Sequence, residues 1–273
     1  MERGVIMNKI FMMADIHGSV HPLKEFVRRN KDTENFDGSD IMILLGDSAF
    51  NYFLDERDFY LKRAVSKLPF TFFVIRGNHE ERPTNCMKKE PDKWQTSEFF
   101  GGTVYEEKDF PKIKYAEDGP SIYNIPHAAG AYKTLVLPGA YSVDKFYRLM
   151  KGWNWFADEQ MSESEREFAW DLIDHNQYMF DLVLSHTCPC AFEPTDLFLS
   201  SINQSIVDKD MERFLRAVEY AIDYKLWCFG HFHQARIYPF FETKQVLMLY
   251  NDKAIELNEW MNELQSCKVG GFY

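Results

Sequence analysis

The sequence lacks any long hydrophobic run: nowhere do about 18 apolar residues follow one another, so no membrane-spanning helix is predicted. Its N-terminal stretch, Met1–Ile6, contains neither an extended apolar segment nor a small-residue cleavage site, so no signal peptide is predicted. Cysteine is scarce, with five scattered residues in 273, and this odd number does not indicate a disulfide framework. These absences favour a reducing compartment, and we expect a cytoplasmic protein.

Basic residues are also in the minority. Lys and Arg number 31 and Asp and Glu number 42, which gives a net charge of 31 − 42 = −11. An acidic chain is a poor general binder of nucleic acids and anionic membranes, although a local positive site can override this. We therefore expect neither a membrane nor a nucleic acid as partner, and the sequence does not indicate the oligomeric state.

What the sequence does contain is enough apolar residues, 45% of the total, for a large core, and no internal repeat or linker. We predict a single domain over residues 1–273. In its first part, short apolar runs alternate with helical patterns. This alternation is typical of βαβ units and a parallel sheet. The predicted strands are Lys9–Ala14, Ile41–Leu45 and Phe70–Ile75, and the predicted helices are Pro22–Arg29 and Glu56–Lys67.

The regular alternation stops at Glu81–Pro138, which is rich in proline, glycine and aromatic residues and predicts antiparallel hairpins. Further along, Ser162 and Glu165 have the spacing of a capping box, which predicts a helix to about Asn176 with Phe168, Leu172 and Ile173 facing inward. The remaining predictions are a helix over Asp208–Asp223, strands Asp181–Ser185 and Lys225–Phe229, and a hairpin of Ile237–Phe241 with Gln245–Tyr250. The pattern as a whole predicts an α/β fold with a mixed sheet.

Five of the apolar runs end in a segment that carries Asp, Asn or His. Open α/β folds place their ligands at such strand ends. Carboxylate, amide and imidazole groups suit Mn²⁺, Fe and Zn²⁺. The pattern therefore indicates a metal site whose ligands come from several strand ends. The segments are Asp15-Ile16-His17, Gly46-Asp47, Gly77-Asn78-His79-Glu80, His186, and Gly230-His231-Phe232-His233.

In content and order, these five segments resemble the sequence blocks of the calcineurin-like metallophosphoesterases, and they span most of the chain. The resemblance implies two packed mixed β-sheets flanked by helices, a four-layer α/β/β/α sandwich. It also implies two divalent metal ions, with Mn²⁺ the first expectation and Fe, Zn²⁺ or Ni²⁺ as alternatives. One ion would be held by Asp15, His17 and His233, the other by Asn78, His186 and His231, and Asp47 would bridge the two.

By the same resemblance, the protein would hydrolyse phosphate mono- or diesters by attack of a metal-bridging hydroxide. His79 would be the catalytic residue, donating a proton to the leaving oxygen or stabilising the phosphate. Candidate substrate-binding residues are Arg76, Asn51 and Tyr141. A structural role for Arg76 is an equal alternative. Tyr141 belongs to the stretch Leu137–Lys145, where Asp144, Lys145 and the following Arg148 are further candidates, with core or helix-start roles as alternatives.

The expected substrate is a small phosphoester or a nucleotide. Protein Ser/Thr phosphatases follow their Gly-Asp block with an Asp-Arg pair, whereas this chain has Phe50 and Asn51 there. The alternatives are a nuclease or RNA-debranching-type phosphodiesterase, suggested by the Tyr141 stretch, a protein phosphatase, and a non-catalytic binding protein. The region Glu81–Asp144 is expected to overhang the metal ions. Its aromatic residues would contact a base or, as we favour, form a local core: Trp94, Phe99, Phe100 and Tyr105.

Overall fold

Two β-sheets pack face to face in the computed structural model, which describes residues 8–34, 36, 38–198, 200, 202–239 and 244–269. Thirteen strands are described: β1 Ile10–Met13, β2 Ile41–Leu45, β3 Thr71–Ile75, β4 Trp94–Phe99, β5 Gly102–Glu107, β6 Ile113–Tyr115, β7 Ser121–His127, β8 Gly130–Leu137, β9 Leu182–Ser185, β10 Leu226–Phe229, β11 Arg236–Ile237, β12 Gln245–Met248 and β13 Ile255–Glu256. The described α-helices are α1 His21–Asn30, α2 Glu56–Val65, α3 Pro83–Lys89, α4 Lys145–Lys151, α5 Glu163–His175, α6 Asp210–Ala221 and α7 Leu257–Val269.

Both sheets are mixed, with a parallel centre. The first has the strand order β13-β1-β2-β3-β6-β5-β4, and β1, β2, β3 and β6 run parallel. The second has the order β11-β12-β10-β9-β8-β7, and β12, β10, β9 and β8 run parallel. Because parallel neighbours end on the same side of a sheet, the loops that follow these strands collect along one edge.

The core between the sheets is built by the alternation of side chains along each strand. Ile43 and Leu45 of β2 face inward, where they meet Val136 of β8 and Leu184 of β9 in one buried cluster. Tyr123 of β7 belongs to the same cluster. The two sheets are therefore joined by an apolar layer that reaches to the end of β2, directly before Asp47.

Helices cover the outer faces of both sheets. On the first sheet, Leu44 of β2 packs with Leu23 of α1 and Leu61 of α2. On the second sheet, Trp227 of β10 packs with residues of α5 and α6. The order of layers is helix, sheet, sheet, helix, which confirms the predicted α/β sandwich of two mixed sheets flanked by helices.

The predicted elements of the first 75 residues are all present, with bounds that differ by at most two residues. The closing hairpin is also present as the antiparallel pair β11 and β12, although residues 240–243 of the predicted segment lie outside the described part. In the Glu81–Pro138 region the prediction of hairpins holds, but α3 was not predicted. Trp94 is buried in the cluster on the outer face of the first sheet, Tyr105 packs against that cluster, and Phe99 and Phe100 pack against the core between the sheets. The described contacts therefore favour the local-core alternative.

The inward face predicted for the helix after Ser162 is wrong in part. Phe168 is 50% exposed, whereas Ala169 and Ile173 are buried against the second sheet. The apolar residues of this helix are spaced so that either of two faces could be buried. Packing against the second sheet buries the face that carries Ala169 and Ile173. None of the described helices combines the length and the apolar character needed to cross a membrane.

The capping box predicted at Ser162 is formed. The Glu165 N–H donates to Ser162 Oγ at 3.2 Å, and the Ser162 N–H donates to the Glu165 carboxylate at 2.7 Å. Replacing such a cap with Ala leaves a helix N–H unsatisfied. Ser162→Ala should therefore lower the free energy of unfolding by about 1 kcal/mol, measured by urea denaturation. The control is Ser164→Ala in the first turn, and an equal loss in both variants would contradict the capping role.

Candidate metal centre

The predicted metal ligands lie on the loops that follow five parallel strands, three from the first sheet and two from the second. A hydrogen bond joins the two sets directly: His186, after β9, donates from Nδ1 to the carbonyl oxygen of Leu45, at the end of β2, at 2.8 Å. Asn251, after β12, donates to the Asp15 carbonyl oxygen at 2.7 Å. The edge where the sheets meet is thus one continuous site.

Three overlapping groups of side chains at this edge bring their ligand atoms within 4.8 Å of one another. The groups are Asp15, His17 and His233; Asp15, Asp47 and His186; and His17, Asp47 and His79. In the first, the Nε2 atoms of His17 and His233 are 2.8 Å apart. His231 adjoins the second, with its ring centroid 5.0 Å from that of His186. These side chains, from five loops, form a candidate metal-binding set.

Asp47 lies at the centre of these groups and is almost fully buried. Its Oδ2 atom is 3.8 Å from the Nε2 atoms of both His17 and His79. Its Oδ1 atom is 3.4 Å from Nε2 of His186 and accepts the His79 backbone N–H at 2.9 Å. The two carboxylate oxygens therefore face different imidazoles.

Hydrogen bonds fix the orientation of the donor pair Asn78 and His186. The Ser142 hydroxyl donates to Glu159, so its oxygen is left to accept from Asn78 Nδ2 at 2.9 Å. That bond turns Asn78 Oδ1 toward Nε2 of His186, at 3.0 Å. With Nδ1 protonated and bound to Leu45, a neutral His186 presents a lone pair at Nε2. Two facing acceptors fit a cation between them, and the residues present therefore fit a metal ion.

The backbone around the ligands is held in an uncommon conformation. Five of the seven predicted metal ligands have positive φ angles: Asp15 56°, His17 44°, Asp47 51°, His231 75° and His233 54°. Non-glycine residues in this region cost on the order of 1–3 kcal/mol each, and such positions concentrate at functional sites. The strain turns successive side chains toward a common point, which a regular strand end would not do.

Neighbouring glycines allow the backbone to approach these ligands. A Cβ atom on Gly46 would lie 2.1 Å from His186 Nδ1, and one on Gly77 would lie 2.1 Å from Asp47 Oδ1. A Cβ atom on Gly230 would be 2.8 Å from Asp15 Oδ2. These contacts explain why glycine precedes the ligand in three of the five segments.

Burial and neighbouring charges shift the pKa values of the side chains at this site in different directions. Burial raises the pKa of Asp15, and burial lowers the pKa of His79 to about 4. Burial also opposes ionisation of Asp47, but the imidazoles of His79 and His186 outweigh it and lower the pKa of Asp47. Although burial disfavours the charged form of His186, the Asp47 carboxylate raises the pKa of His186 to about 9.

The predicted substrate-binding residues are divided. Tyr141 lines the same cavity of about 380 Å³ as Asp47, Asn78 and His79. Arg76 is buried and donates to the carbonyl oxygen of Glu159 at 2.7 Å, and Asn51 Oδ1 accepts from Lys62 at 2.9 Å. These contacts do not bring Arg76 or Asn51 into the cavity and give no support to their predicted role.

Several supporting residues make contacts that the sequence alone did not predict. Glu80 accepts backbone N–H groups of Ala49 at 2.8 Å and Gly77 at 3.1 Å, and so ties two ligand loops together. Arg148, one of the open candidates, contacts the His79 ring and forms an ion pair with Asp144 at 2.8 Å. Asp144 precedes α4, in agreement with the helix-start alternative. Such roles depend on pairs far apart in the chain, which spacing alone does not reveal.

Comparison with known proteins adds to this geometry. The model of the calcineurin-like phosphoesterase family matches residues 9–235. This chain belongs to the calcineurin-like phosphoesterase family. Members of the family are generally phosphoester hydrolases, and the ligand groups at the sheet edge agree with metal binding. No curated protein sequence matches the chain.

The chain is similar to several solved structures. The protein TT1561 of Thermus thermophilus is 13% identical over 92% of this chain and 95% of its own, with a TM-score of 0.50. GAP50, the anchor in the inner membrane complex of Plasmodium, is 10% identical over 89% of this chain and 71% of its own, with a TM-score of 0.47. The phosphopantetheinyl hydrolase of Mycobacterium tuberculosis is 11% identical over 93% and 92%, with a TM-score of 0.40. At these identities, the similarity to the first shows the fold alone.

Asp47→Asn should weaken metal binding more than other single changes in the cavity, because it removes a charge that faces three imidazoles. Changes to residues that only support metal ligands lower metal affinity by up to about 100-fold. Because Asp47 is itself a predicted ligand, we expect the affinity for Mn²⁺ to fall by at least about that factor. Metal content after reconstitution and dialysis measures this. Asp208→Asn, in the same cavity but outside the ligand groups, is the control. Full metal content in Asp47→Asn would refute the central role of this carboxylate.

Gly46→Ala and Gly152→Ala form a matched pair that separates backbone strain from steric contact. Both glycines have positive φ, 82° and 67°, but a Cβ atom on Gly152 meets nothing within 4 Å. Each substitution should cost about 1–2 kcal/mol of strain. Gly46→Ala should in addition displace His186 and reduce bound metal, measured by elemental analysis. Equal metal content in the two variants would contradict the close approach at Gly46.

Proposed function

We propose that this protein is a dinuclear metal-dependent phosphoesterase that hydrolyses phosphate mono- or diesters of small molecules. The observation that carries the proposal is the position of Asp47, whose two carboxylate oxygens face His17 on one side and His186 on the other. The ligand sets proposed for the two ions are those expected from the sequence. They are Asp15, His17 and His233 for one ion and Asn78, His186 and His231 for the other, with Asp47 shared.

The donor set supports Mn²⁺ as the first choice, with Fe, Zn²⁺ and Ni²⁺ as alternatives, because it combines carboxylate and imidazole ligands without thiolate. Metal ions bound here would polarise the phosphoryl group and lower the pKa of a bound water molecule. The protein's own part is to orient the ester. Tyr141 and the ligand-bearing loops line the cavity, and the backbone of these loops is fixed by the ends of the parallel strands.

In this proposal His79 donates a proton to the leaving oxygen or stabilises the phosphate. Its Nε2 atom lies 3.8 Å from Asp47 Oδ2, and its ring borders the cavity. Arg148 contacts the ring and, through its ion pair with Asp144, holds the imidazole toward the cavity. Tyr52 also stacks near the same ring, at 6.2 Å between centroids. These contacts orient His79 without removing it from the substrate side.

A cavity of about 380 Å³ is of the size that small-molecule sites have, which supports a small phosphoester or nucleotide as substrate. Asn51, in the place of the phosphate-gripping Arg of protein phosphatases, is engaged by Lys62 instead. Among the described residues, no contact favours a nuclease, an RNA-debranching phosphodiesterase, a protein phosphatase or a non-catalytic protein over this proposal.

Hydrolysis of p-nitrophenyl phosphate and bis(p-nitrophenyl) phosphate tests the proposal directly. The protein should turn over at least one of them after loading with Mn²⁺, and Asp47→Asn should not. Parallel samples with Fe²⁺, Zn²⁺ and Ni²⁺ identify the most active metal. Absence of turnover with all four metals, in protein whose metal content has been verified, would overturn the proposed function.

His79→Gln should leave the metal content unchanged and lower kcat by about 100-fold or more, because general acid assistance is typically worth 10²–10⁴-fold. The loss should be smaller for p-nitrophenyl phosphate than for an alkyl phosphate, whose leaving alkoxide needs the proton more. His127→Gln is the control, since His127 stacks on Tyr132 in the β7–β8 hairpin. An equal loss for both esters would assign His79 to phosphate stabilisation instead.

A further inference from the structure

The cavity at the candidate metal centre is lined by two chemically different sets of side chains. One set consists of predicted metal ligands together with His79: Asp47, Asn78, His231 and His233. The other set, which we call the apolar wall, consists of Val143, Leu197, Phe198, Ile202, Val207 and Phe232. An alkyl or aryl substituent gains free energy when it is buried against such residues, whereas a charged substituent loses hydration there.

Polar residues on the side of the apolar wall are already bonded within the protein. Lys209 donates to Glu193 at 2.8 Å, and Asp208 accepts from Gln160 at 3.0 Å. Glu212 accepts from the Thr187 hydroxyl at 2.8 Å, and its second oxygen is buried without a hydrogen-bond partner among the described residues. Lys209 and Asp208 are therefore engaged within the protein, and the apolar side chains beside them remain for contact with a bound molecule.

The apolar wall begins immediately beside the predicted ligands. Phe232 stands between His231 and His233 in the chain, with its ring centroid 5.0 Å from that of His231. The ring of Phe198 is nearly parallel to that of Phe232, at 23° and 6.3 Å between centroids. A group joined to the phosphorus atom through one ester oxygen would reach these rings within a few bonds.

At its other end, the apolar wall continues to the protein surface. Val143 lines the cavity and is 45% exposed, and α4 follows it directly. On α4, Phe146 is 71% exposed and Met150 is 74% exposed. Apolar side chains this exposed on one short helix form a patch of the kind that marks binding surfaces. Exposed apolar side chains therefore follow Val143 closely in the chain, outside the cavity lining.

We propose that the substrate is an amphiphilic phosphoester, with its phosphoryl group at the predicted metal ligands and an alkyl or aryl group against the apolar wall. This inference rests on the proposed function and names its substrate class. The driving force is burial of the apolar group, which should improve binding by up to about fourfold for each methylene removed from water.

A series of n-alkyl phosphates from methyl to octyl, used as soluble monomers, tests the inference. The leaving alcohols of the butyl and octyl esters have similar acidity, so the chemical step is nearly constant and differences report binding. With Mn²⁺-loaded protein, kcat/KM should rise by at least about tenfold from butyl to octyl phosphate. A flat series, or a higher kcat/KM for adenosine monophosphate than for octyl phosphate, would overturn the inference.

Val207→Ser and Phe198→Ser should flatten the series, because each places a hydroxyl in the apolar wall. Tyr220→Ser, which removes an exposed aromatic side chain from α6 outside the cavity lining, is the control and should keep the full dependence on chain length. The octyl-to-butyl ratio is internal to each protein, so a variant that folds incompletely still gives a valid ratio. An unchanged ratio in both cavity variants would contradict the inference.

Binding of n-alkyl phosphonates, measured by calorimetry, keeps this inference separate from the proposed function, because these analogues are not hydrolysed. Affinity that rises with chain length in a protein without turnover would support the apolar wall and overturn only the phosphoesterase. Turnover of phosphoesters together with phosphonate affinity independent of chain length would do the reverse.

Phosphatidic acid in phosphatidylcholine vesicles then distinguishes a membrane lipid from a soluble amphiphile as the source of the substrate. Hydrolysis that Phe146→Ser and Met150→Ser reduce only in vesicles indicates a membrane lipid. Hydrolysis of soluble alkyl phosphates alone indicates a soluble amphiphile.

Discussion

A buried carboxylate among imidazoles is the interaction on which this site depends. Taking Asp47 out of water is costly unless opposite charge and hydrogen bonds compensate. The imidazole of His186, whose pKa is raised, and the His79 N–H provide this compensation. His186 belongs to the second sheet and His79 to the first, so the buried charge of Asp47 links the two sheet edges. The hydrogen bond from His186 Nδ1 to the carbonyl oxygen of Leu45 is a second link between the two sheet edges.

The same edge combines strain with rigidity. Left-handed backbone at Asp15, Asp47 and His231 opposes folding, and it persists only where the surroundings determine it fully. The strands before these residues are buried on both faces, by the core between the sheets and by the helices outside. Strands that are buried in this way hold the short loops after them in fixed positions. The sandwich therefore tolerates strained backbone at the predicted ligands, because apolar layers on both sides anchor each strand.

Much of this candidate site could be predicted from the sequence, because the predicted ligands closely follow apolar runs. Asp15, Asp47 and His186 come within two residues of a strand end, so predicting the strand also places the side chain. Arg76 and Asn51 also follow strands, yet their directions depend on Glu159 and Lys62, far away in the chain. Spacing carries no information about such partners.

The apolar wall could not be predicted for a related reason: most of it comes from residues 197–207, which have neither strand nor helix periodicity. Phe232 is the exception, since it lies between two predicted ligands of one segment. Because a single turn after β10 carries His231, Phe232 and His233, local backbone geometry sets the distance from the proposed phosphoryl site to the apolar wall. In the proposed substrate, the apolar group would then begin close to the ester oxygen, whatever the length of the chain beyond it.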